Sequence, residues 1–176
     1  MLQYIEQEME RDLKEPEPAF NPQNLSFNPW TEDNKAEFYK VYIEAFRTRT
    51  DYPMKAEAWN HHFANPKSSD YQPNFSLLAL KSDNPVAYAV IHNDESPDVF
   101  EPKSAWITQT GVHADYRRQG IGATLLTETM KVLQKAGYQK VKLSVHVDNP
   151  GAISLYEYLG FSLVNSFTMY YRTVNA

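Results

Sequence analysis

The sequence reads Arg117-Arg118-Gln119-Gly120-Ile121-Gly122-Ala123 at the junction between an extended apolar run, Ala105 to Val112, and an amphipathic helix that ends near Ala136. Glycine at such a junction lets backbone N–H groups approach a ligand without a side chain between them. The first N–H groups of a helix have no partner within the helix, and the helix dipole places partial positive charge there. The stretch is therefore typical of an anion site, and phosphate suits it best.

Two common phosphate-binding motifs do not fit this stretch. A Walker loop has four residues between its glycines and then Lys and Ser or Thr, whereas here one residue separates the glycines and no lysine follows. A dinucleotide fingerprint has a third glycine three residues after the second, and that position is Leu125. On these residues alone, a glycine-rich helix start that binds no ligand stays open as an alternative.

Length and composition restrict the class of protein. The chain has 176 residues, enough for one domain with its own core, and a formal net charge of -5 that argues against nucleic-acid binding. Because it has no cysteine, it has no disulfide, no thiolate metal site and no cysteine nucleophile. No apolar run reaches the roughly 20 residues that span a bilayer, and residues 1–13 lack the apolar core of a signal peptide. We therefore expect a cytoplasmic protein that binds neither membrane nor metal.

Hydrophobic periodicity and turn residues predict the element order strand, two helices, three strands, helix, strand, helix and two strands. The predicted strands are 25–30, 75–81, 86–92, 105–112, 140–147, 161–164 and 167–173, and the predicted helices are 32–47, 54–63, 121–136 and 150–159. Helices packed on a central mixed sheet, an α/β (α+β) fold, follow from this order. Residues 1–24 contain several prolines and are predicted to be an N-terminal extension and linker, which leaves residues 25–176 as the domain.

A second motif, Asn149-Pro150-Gly151-Ala152, continues through Tyr156 to Gly160-Phe161. It resembles the Asn-x-x-Ala-x-x-x-Tyr-x-x-x-Gly-Phe signature of the GCN5-related N-acetyltransferase (GNAT) family. The Arg-x-x-Gly-x-Gly spacing of the first stretch is similar to the phosphate loop of the same family. The resemblance is close from about Ala105 to Phe161 and looser elsewhere. It implies a mixed central sheet of about seven strands, splayed at the coenzyme A site, with helices on both faces.

The resemblance also implies acetyl-coenzyme A as cosubstrate and assigns roles to residues. Backbone groups of Thr110, Gly111 and Val112 would pair with the pantetheine arm, and Asn149 would hydrogen-bond it or cap its own helix. Backbone N–H groups of the phosphate loop would hold the pyrophosphate, and at least one of its two arginine side chains would contact phosphate or ribose. The residues of this cradle are Arg117, Arg118, Gln119, Gly120, Ile121, Gly122 and Ala123.

The resemblance makes Tyr156 the general acid that protonates the departing thiolate. A model thiol has a pKa of ~8.5 and a model tyrosine ~10, so the help is moderate, within the roughly 10²–10⁴-fold typical of positioned proton transfer. The base is harder to assign. Many members of the family carry a glutamate on the strand before the phosphate loop, whereas that strand here has no carboxylate. Water held by Thr108 or Gln109, and the side chains of His113 and His146, remain open as alternatives.

The leading interpretation is an N-acetyltransferase that acts on a primary amine of a small molecule or peptide by direct attack in a ternary complex, since no cysteine can carry an acyl group. A non-catalytic acyl-coenzyme A sensor is the alternative that the missing glutamate favours. Residues 1–14 resemble the domain junction of tandem members of the family, and we expect that they either form an extra edge strand or are inherited from a two-domain ancestor; an N-terminal helix or tail is the alternative. Monomer and homodimer both stay open.

Overall fold

The computed structural model describes residues 2–16, 23–48, 53–95 and 101–171, and these ranges hold seven strands and four α-helices. The strands are β1 Leu2–Asp12, β2 Ser26–Pro29, β3 Leu77–Lys81, β4 Asn84–Asn93, β5 Ser104–Val112, β6 Lys140–His146 and β7 Ser162–Tyr171. The helices are α1 Lys35–Phe46, α2 Ala56–Phe63, α3 Ile121–Lys135 and α4 Pro150–Tyr158. All seven strands belong to one mixed sheet of order β2-β3-β4-β5-β6-β1-β7.

The central strand β4 shows why helices cover both faces of the sheet. Its residues 86–91 are all buried, and alternate residues enter different clusters. Tyr88 and Val90 pack with the aromatic side chains of α1 and α2, whereas Ala87 and Ala89 pack against the first turns of α3. A strand that is apolar on both faces needs a layer on each side. The predicted arrangement, a mixed sheet between two helical layers, is therefore confirmed.

The helix after the phosphate loop ends where its sequence predicts. Gly137 adopts a φ of +84°, and its N–H donates to the carbonyl of Gln134 at 3.0 Å. The N–H of Tyr138 donates to the carbonyl of Leu133 at 3.1 Å. These two bonds form a Schellman motif, in which the left-handed residue is nearly always glycine. They fix the direction in which the chain leaves α3 to enter β6.

Strands β5 and β6 are parallel neighbours that pair over only part of their length. The paired positions end at Ile107 and Leu143, although β5 continues to Val112 and β6 to His146. Over the remaining residues β5 stays paired with β4, and β6 stays paired with β1. The facing edges of β5 and β6 therefore separate after Ile107, which is the splay that the family resemblance implies.

The first strand departs most from the sequence prediction. β1 lies between β6 and β7 and is antiparallel to both, so it is an interior strand rather than the edge strand that was one of the alternatives. The buried guanidinium of Arg11 anchors it by donating to the carbonyl oxygens of Leu159, Glu15 and Pro16. Residues 2–12 are thus part of the sheet of the domain that was expected to start at residue 25. Most of the predicted linker, residues 17–22, lies outside the described residues.

The C-terminal strand corrects a second prediction. The segments 161–164 and 167–173 were expected to form two strands, whereas residues 162–171 form one strand, β7, that pairs with β1. The register between β1 and β7 shifts after Glu8, where Asn165 is opposite Glu8 and Leu163 is opposite Met9. The extra residue, Val164, marks a bulge that interrupts the alternation of side chains and gives the appearance of a break.

Candidate active site

A cleft of about 780 Å³ opens where β5 and β6 separate. The unpaired part of β5, the end of β6, the first turn of α3 and one side of α4 form its walls, and the last turn of α1 contributes Ala45 and Phe46. Eleven of the twelve predicted site residues line it, namely Thr110, Gly111, Val112, Arg117, Arg118, Gly120, Ile121, Gly122, Ala123, Asn149 and Tyr156. Gln119 does not, since its side-chain oxygen accepts a hydrogen bond from Lys81 Nζ at 3.1 Å.

The backbone of the phosphate loop turns sharply into α3. Gly120 is the N-cap residue with a φ of +78°, and Arg118 adopts a φ of +62°. Left-handed backbone is rare for a residue other than glycine. A Cβ at Gly122 would lie 3.2 Å from Leu155 Cδ2, so glycine there lets α3 start close against α4. The result is a helix N-terminus with N–H donors on the cleft wall, an arrangement that can bind an anionic group such as a phosphate.

The two arginines of the loop occupy different positions. The guanidinium of Arg117 donates to the carbonyl oxygen of Val112 at 3.4 Å, to that of Ala45, and to Thr48 Oγ1 at 3.5 Å. It thereby joins the end of α1 to the end of β5. The side chain of Arg118 is exposed at the rim of the cleft. Arg118 is thus better placed than Arg117 to contact a phosphate from solvent.

Close packing of α1 against β5 leaves no room for a side chain at Gly111. A Cβ at this position would lie 2.8 Å from Ala45 Cβ, 3.1 Å from Tyr88 Cε1 and 3.4 Å from Phe46 Cε2. A separation below 3.0 Å requires either α1 or β5 to move. Gly111 therefore sets the distance between α1 and the unpaired edge of β5, a role that the sequence motif does not reveal.

The second motif places its two site residues on α4. Asn149 Oδ1 accepts a hydrogen bond from the N–H of Ala152 at 3.4 Å, so Asn149 does cap its helix, as one of its two predicted roles requires. Tyr156 is buried in the cluster that also contains Leu143 and Val145 of β6. Its ring centroid lies 5.9 Å from that of Phe161. Asn149 and Tyr156 both border the cleft, and the catalytic role of Tyr156 stays a prediction.

A β-bulge lies where the splay starts. Gln109 is opposite Val90 and Ile107 is opposite Ile91, so Thr108 is the extra residue on β5. Thr108 Oγ1 lies 2.7 Å from Nδ1 of His92, a buried side chain of β4. Burial lowers the pKa of His92, against the opposing effect of the Asp70 carboxylate. Sequence reasoning missed His92, because nothing in the sequence indicates which strand residue faces the bulge.

The residues that remained open as bases fall into two groups. Thr108, Gln109 and His146 border the cleft. His113 does not line it, since its Nδ1 accepts a hydrogen bond from the N–H of Asp115 at 3.2 Å and its Nε2 lies 3.8 Å from a carboxylate oxygen of Glu44. Some lining residues were not predicted at all, among them Glu6, Ser144 and Tyr158. Glu6 belongs to β1, whose place in the sheet could not be foreseen.

Two further findings concern the part of the chain that the structure describes. No group of three or more His, Cys, Asp or Glu side chains is placed to hold a metal ion there. The adjacent pair His61-His62 on α2 forms no such group either. None of the described helices has the length and the apolar character that crossing a bilayer requires.

Comparison with known proteins gives relatives whose names describe N-acetyltransferases. An uncharacterized N-acetyltransferase of Methanocaldococcus jannaschii is 27% identical over 131 residues, which are 74% of this chain and 58% of that protein. The [ribosomal protein bS18]-alanine N-acetyltransferase of Escherichia coli strain K12 is 38% identical over 71 residues, 40% of this chain and 48% of that protein. The chain thus spans about half the length of these relatives.

Structural comparison and a family model agree on the fold. The crystal structure of a GCN5-related N-acetyltransferase from Sphaerobacter thermophilus matches with a TM-score of 0.71 at 24% identity, over 94% of this chain and 50% of that one. The model of the Acetyltransferase (GNAT) family matches residues 9–161, which include the second part of β1, both motifs and every element between them. The chain therefore belongs to the GNAT family of acetyltransferases.

Proposed function

We propose that the protein transfers the acetyl group of acetyl-coenzyme A to a primary amine of a small molecule or peptide. One observation carries the proposal: the separated edges of β5 and β6 stand beside the N-terminus of α3, and Tyr156 borders the same cleft. A diphosphate site, an unpaired strand edge and a proton donor are what the thioester cosubstrate needs from the protein.

The backbone supplies most of the binding groups in this proposal. N–H groups in the first turn of α3, with the left-handed Gly120 before them, hold the pyrophosphate. Beyond Ile107 the edge of β5 that faces the cleft has no partner on β6, and the backbone of Thr110 on that edge pairs with the pantetheine amides as an added strand would. Arg118 adds a charge-assisted contact at the rim. When bound, acetyl-coenzyme A supplies an activated acetyl thioester.

Tyr156 acts in this mechanism as the acid that protonates the coenzyme A thiolate when the amine displaces it. Its burial against β6 keeps the hydroxyl in a fixed position and reduces the access of water. Direct transfer between two bound substrates follows from the absence of a cysteine that could hold an acyl group.

The acceptor class has two candidates. The name of the Escherichia coli relative indicates an α-amine on an alanine of a ribosomal protein, which favours a peptide N-terminus. An α-amine has a pKa of about 8, against about 10.4 for an alkyl amine, so it needs less help to lose its proton at neutral pH. An alkyl amine of a small molecule is the second candidate.

Thiol release from acetyl-coenzyme A tests the proposal directly. The panel comprises spermidine, kanamycin, free amino acids and a hexapeptide with an N-terminal alanine, and calorimetry with coenzyme A runs beside it. We expect coenzyme A to bind and at least one amine to accelerate thiol release. A sensor would bind coenzyme A and leave every amine unmodified, and a protein that gives no heat with millimolar coenzyme A would overturn the assignment of the cleft.

A further inference from the structure

The lining of the cleft contains a carboxylate, the group that β5 lacks. Among the described residues that border the cleft, Glu6 is the only carboxylic acid and His146 is the only histidine. Glu6 comes from β1, more than 90 residues before the phosphate-loop strand in the sequence. The carboxylate that is missing from β5 is therefore present in the same cleft, on a different strand.

The strand register places Glu6 directly opposite His146. One position farther along, the N–H of Val147 donates to the carbonyl of Ile5 at 3.0 Å, so that neighbouring pair is the hydrogen-bonded one. Hydrogen-bonded and non-hydrogen-bonded pairs alternate in an antiparallel ladder. Glu6 and His146 thus form a non-hydrogen-bonded pair, in which the Cα atoms are about 4.5 Å apart and the side chains share one face.

Glu6 and Tyr156 border the cleft from opposite faces of the sheet. Met9 of β1 and Val145 of β6 belong to the buried cluster that contains Tyr156, on the side of α3 and α4. Because side chains alternate along a strand, Glu6 and His146 lie on the other face. A carboxylate on one face and a phenol on the other let one group take a proton from the incoming amine while the other gives a proton to the departing thiolate.

We propose that Glu6 is the general base of the acetyl transfer, an inference that rests on the proposed function. The carboxylate binds the ammonium group of the acceptor and takes one proton from it. The free amine nitrogen then forms the C–N bond while the C–S bond breaks. Tyr156 gives its proton to the thiolate and regains one from the acylated nitrogen, so that one amide, one thiol and one proton, released to solvent from Glu6, are the products.

The lysines near Glu6 form ion pairs with other carboxylates, so they do not prevent Glu6 from acting as a base. Glu8 is the next residue on the same face and lies opposite Ser144, while the β7 residue opposite Glu6 is Phe167. The nearest lysines on β6 pair with other carboxylates: Lys140 with Glu10 at 2.8 Å and Lys142 with Asp94 at 2.7 Å. Neither of these two lysines is therefore placed to neutralise the Glu6 carboxylate.

The two histidines near the cleft, His146 and His92, are less suitable than Glu6 as the general base. Nδ1 of His146 accepts a hydrogen bond from the N–H of Asp148 at 3.1 Å, which commits that ring nitrogen to the turn after β6. His92 is buried behind the bulge, and its Nδ1 is occupied by the hydroxyl of Thr108. A carboxylate also attracts an ammonium group before the proton moves, which a neutral imidazole does not.

A substitution that keeps the shape of Glu6 tests the role. At pH 7 only about 1 in 2,500 molecules of an alkyl amine of pKa ~10.4 is unprotonated. Without a base, Glu6→Gln must use this fraction, so we expect kcat/KM for an alkyl amine to fall about 100-fold or more at pH 7. For an α-amine of pKa ~8, of which about 1 in 10 is unprotonated at pH 7, the expected decrease is about 10-fold. The deficit should shrink as the pH rises toward 10, because the free amine then becomes abundant. Coenzyme A affinity should not change.

Glu8→Gln is the matched control, since it removes the same charge from the same face of β1 without touching the cleft. The assay uses the amine of the panel that wild type acetylates fastest, from pH 6 to 10, with calorimetry on coenzyme A and a thermal melt of each variant. We expect kcat/KM of Glu8→Gln to stay within about threefold of wild type. If Glu6→Gln melts below the assay temperature, the pair Glu6→Asp and Glu6→Asn repeats the comparison, and the aspartate variant should be the faster one.

Three outcomes would overturn the inference in distinguishable ways. Wild-type rates in Glu6→Gln at pH 7 would remove Glu6 from the chemistry and leave the proposed function intact. Equal losses in Glu6→Gln and Glu8→Gln would indicate a general effect of charge rather than a base. A wild-type protein that binds coenzyme A but acetylates no amine would refute the proposed function, and the role of Glu6 would fall with it.

Discussion

Replacing Gly111 by alanine tests how closely α1 must lie over β5 for the cleft to form. The new Cβ would be 2.8 Å from Ala45 Cβ, an atom that can move only with the backbone of α1, and 3.1 Å from the ring of Tyr88, which is fully buried. Relief therefore requires α1 and β5 to separate by several tenths of an ångström. Overpacking of this kind costs about 1–3 kcal/mol of unfolding free energy.

The lower flexibility of alanine in the unfolded chain acts in the opposite direction and raises the unfolding free energy. Alanine in a strand interior is favoured over glycine by roughly 0.5–1 kcal/mol, which leaves a net destabilisation of roughly 0–2.5 kcal/mol with a midpoint of about 1 kcal/mol. For a chain of this size each kcal/mol lowers the melting temperature by about 2–4 °C, so a decrease of about 2–4 °C is expected at the midpoint. Coenzyme A affinity should fall as well, because Ala45, Gly111 and Val112 all border the cleft.

Gly151→Ala is the matched control for the change in melting temperature; Gly151 itself borders the cleft, so it is not a control for coenzyme A affinity. A Cβ at Gly151 would meet no atom within 4 Å, and the residue lies in the first turn of α4. Alanine there should stabilise the protein by about 0.4–1 kcal/mol. Differential scanning fluorimetry and calorimetry with coenzyme A measure both effects. A Gly111→Ala protein that melts at or above the wild-type temperature would show that α1 does not constrain β5 as argued.

Four other substitutions test other parts of the site. Tyr156→Phe should lower kcat about 100-fold with unchanged coenzyme A affinity, and wild-type turnover would exclude it as the acid. Arg118→Ala should weaken coenzyme A binding without lowering the melting temperature, whereas Arg117→Ala should lower the melting temperature because its guanidinium joins α1 to β5. Burial lowers the pKa of His92, so the unfolded chain gains that proton first as the pH falls through about 6.5. The stability that neutral His92 contributes above pH 6.5 should therefore be lost as the pH falls toward its lower folded pKa. Urea unfolding between pH 5 and 8 should show that the unfolding free energy of His92→Gln depends less on pH than that of wild type. Parallel curves for the two proteins would contradict this.

The elements that the sequence predicted well are those whose signals are local. The apolar stripe of α3, Gly120 before it and Gly137 after it lie within 20 residues of one another, and the structure has all three as expected. The two motifs also predicted which residues would share a cleft, because strand β5, helix α3 and strand β6 form one right-handed parallel unit. Gln119 is the one predicted cradle residue that does not line the cleft, and its side chain is hydrogen-bonded to Lys81.

The parts that could not be predicted depend on distant partners. Glu6, Glu8 and Glu10 alternate with Gln7, Met9 and Arg11, a period-two pattern in which only Met9 is apolar. Such a segment resembles a solvated tail, because the reason for its burial is a pair of strands more than 130 residues away. The guanidinium of Arg11 is likewise buried only because three backbone carbonyls happen to converge on it.

The position of β1 also affects when this strand can fold during protein synthesis. On the ribosome, residues 2–12 are made well before either neighbour of this strand, because β6 starts at residue 140 and β7 at residue 162. At about 5–20 residues per second, the strand waits for roughly 7–30 s with its backbone unpaired. Its glutamates give it a charge that discourages association with other nascent chains during this interval. The acid side chains that make the segment look like a tail are thus well suited to a strand that must remain soluble until its partners are translated.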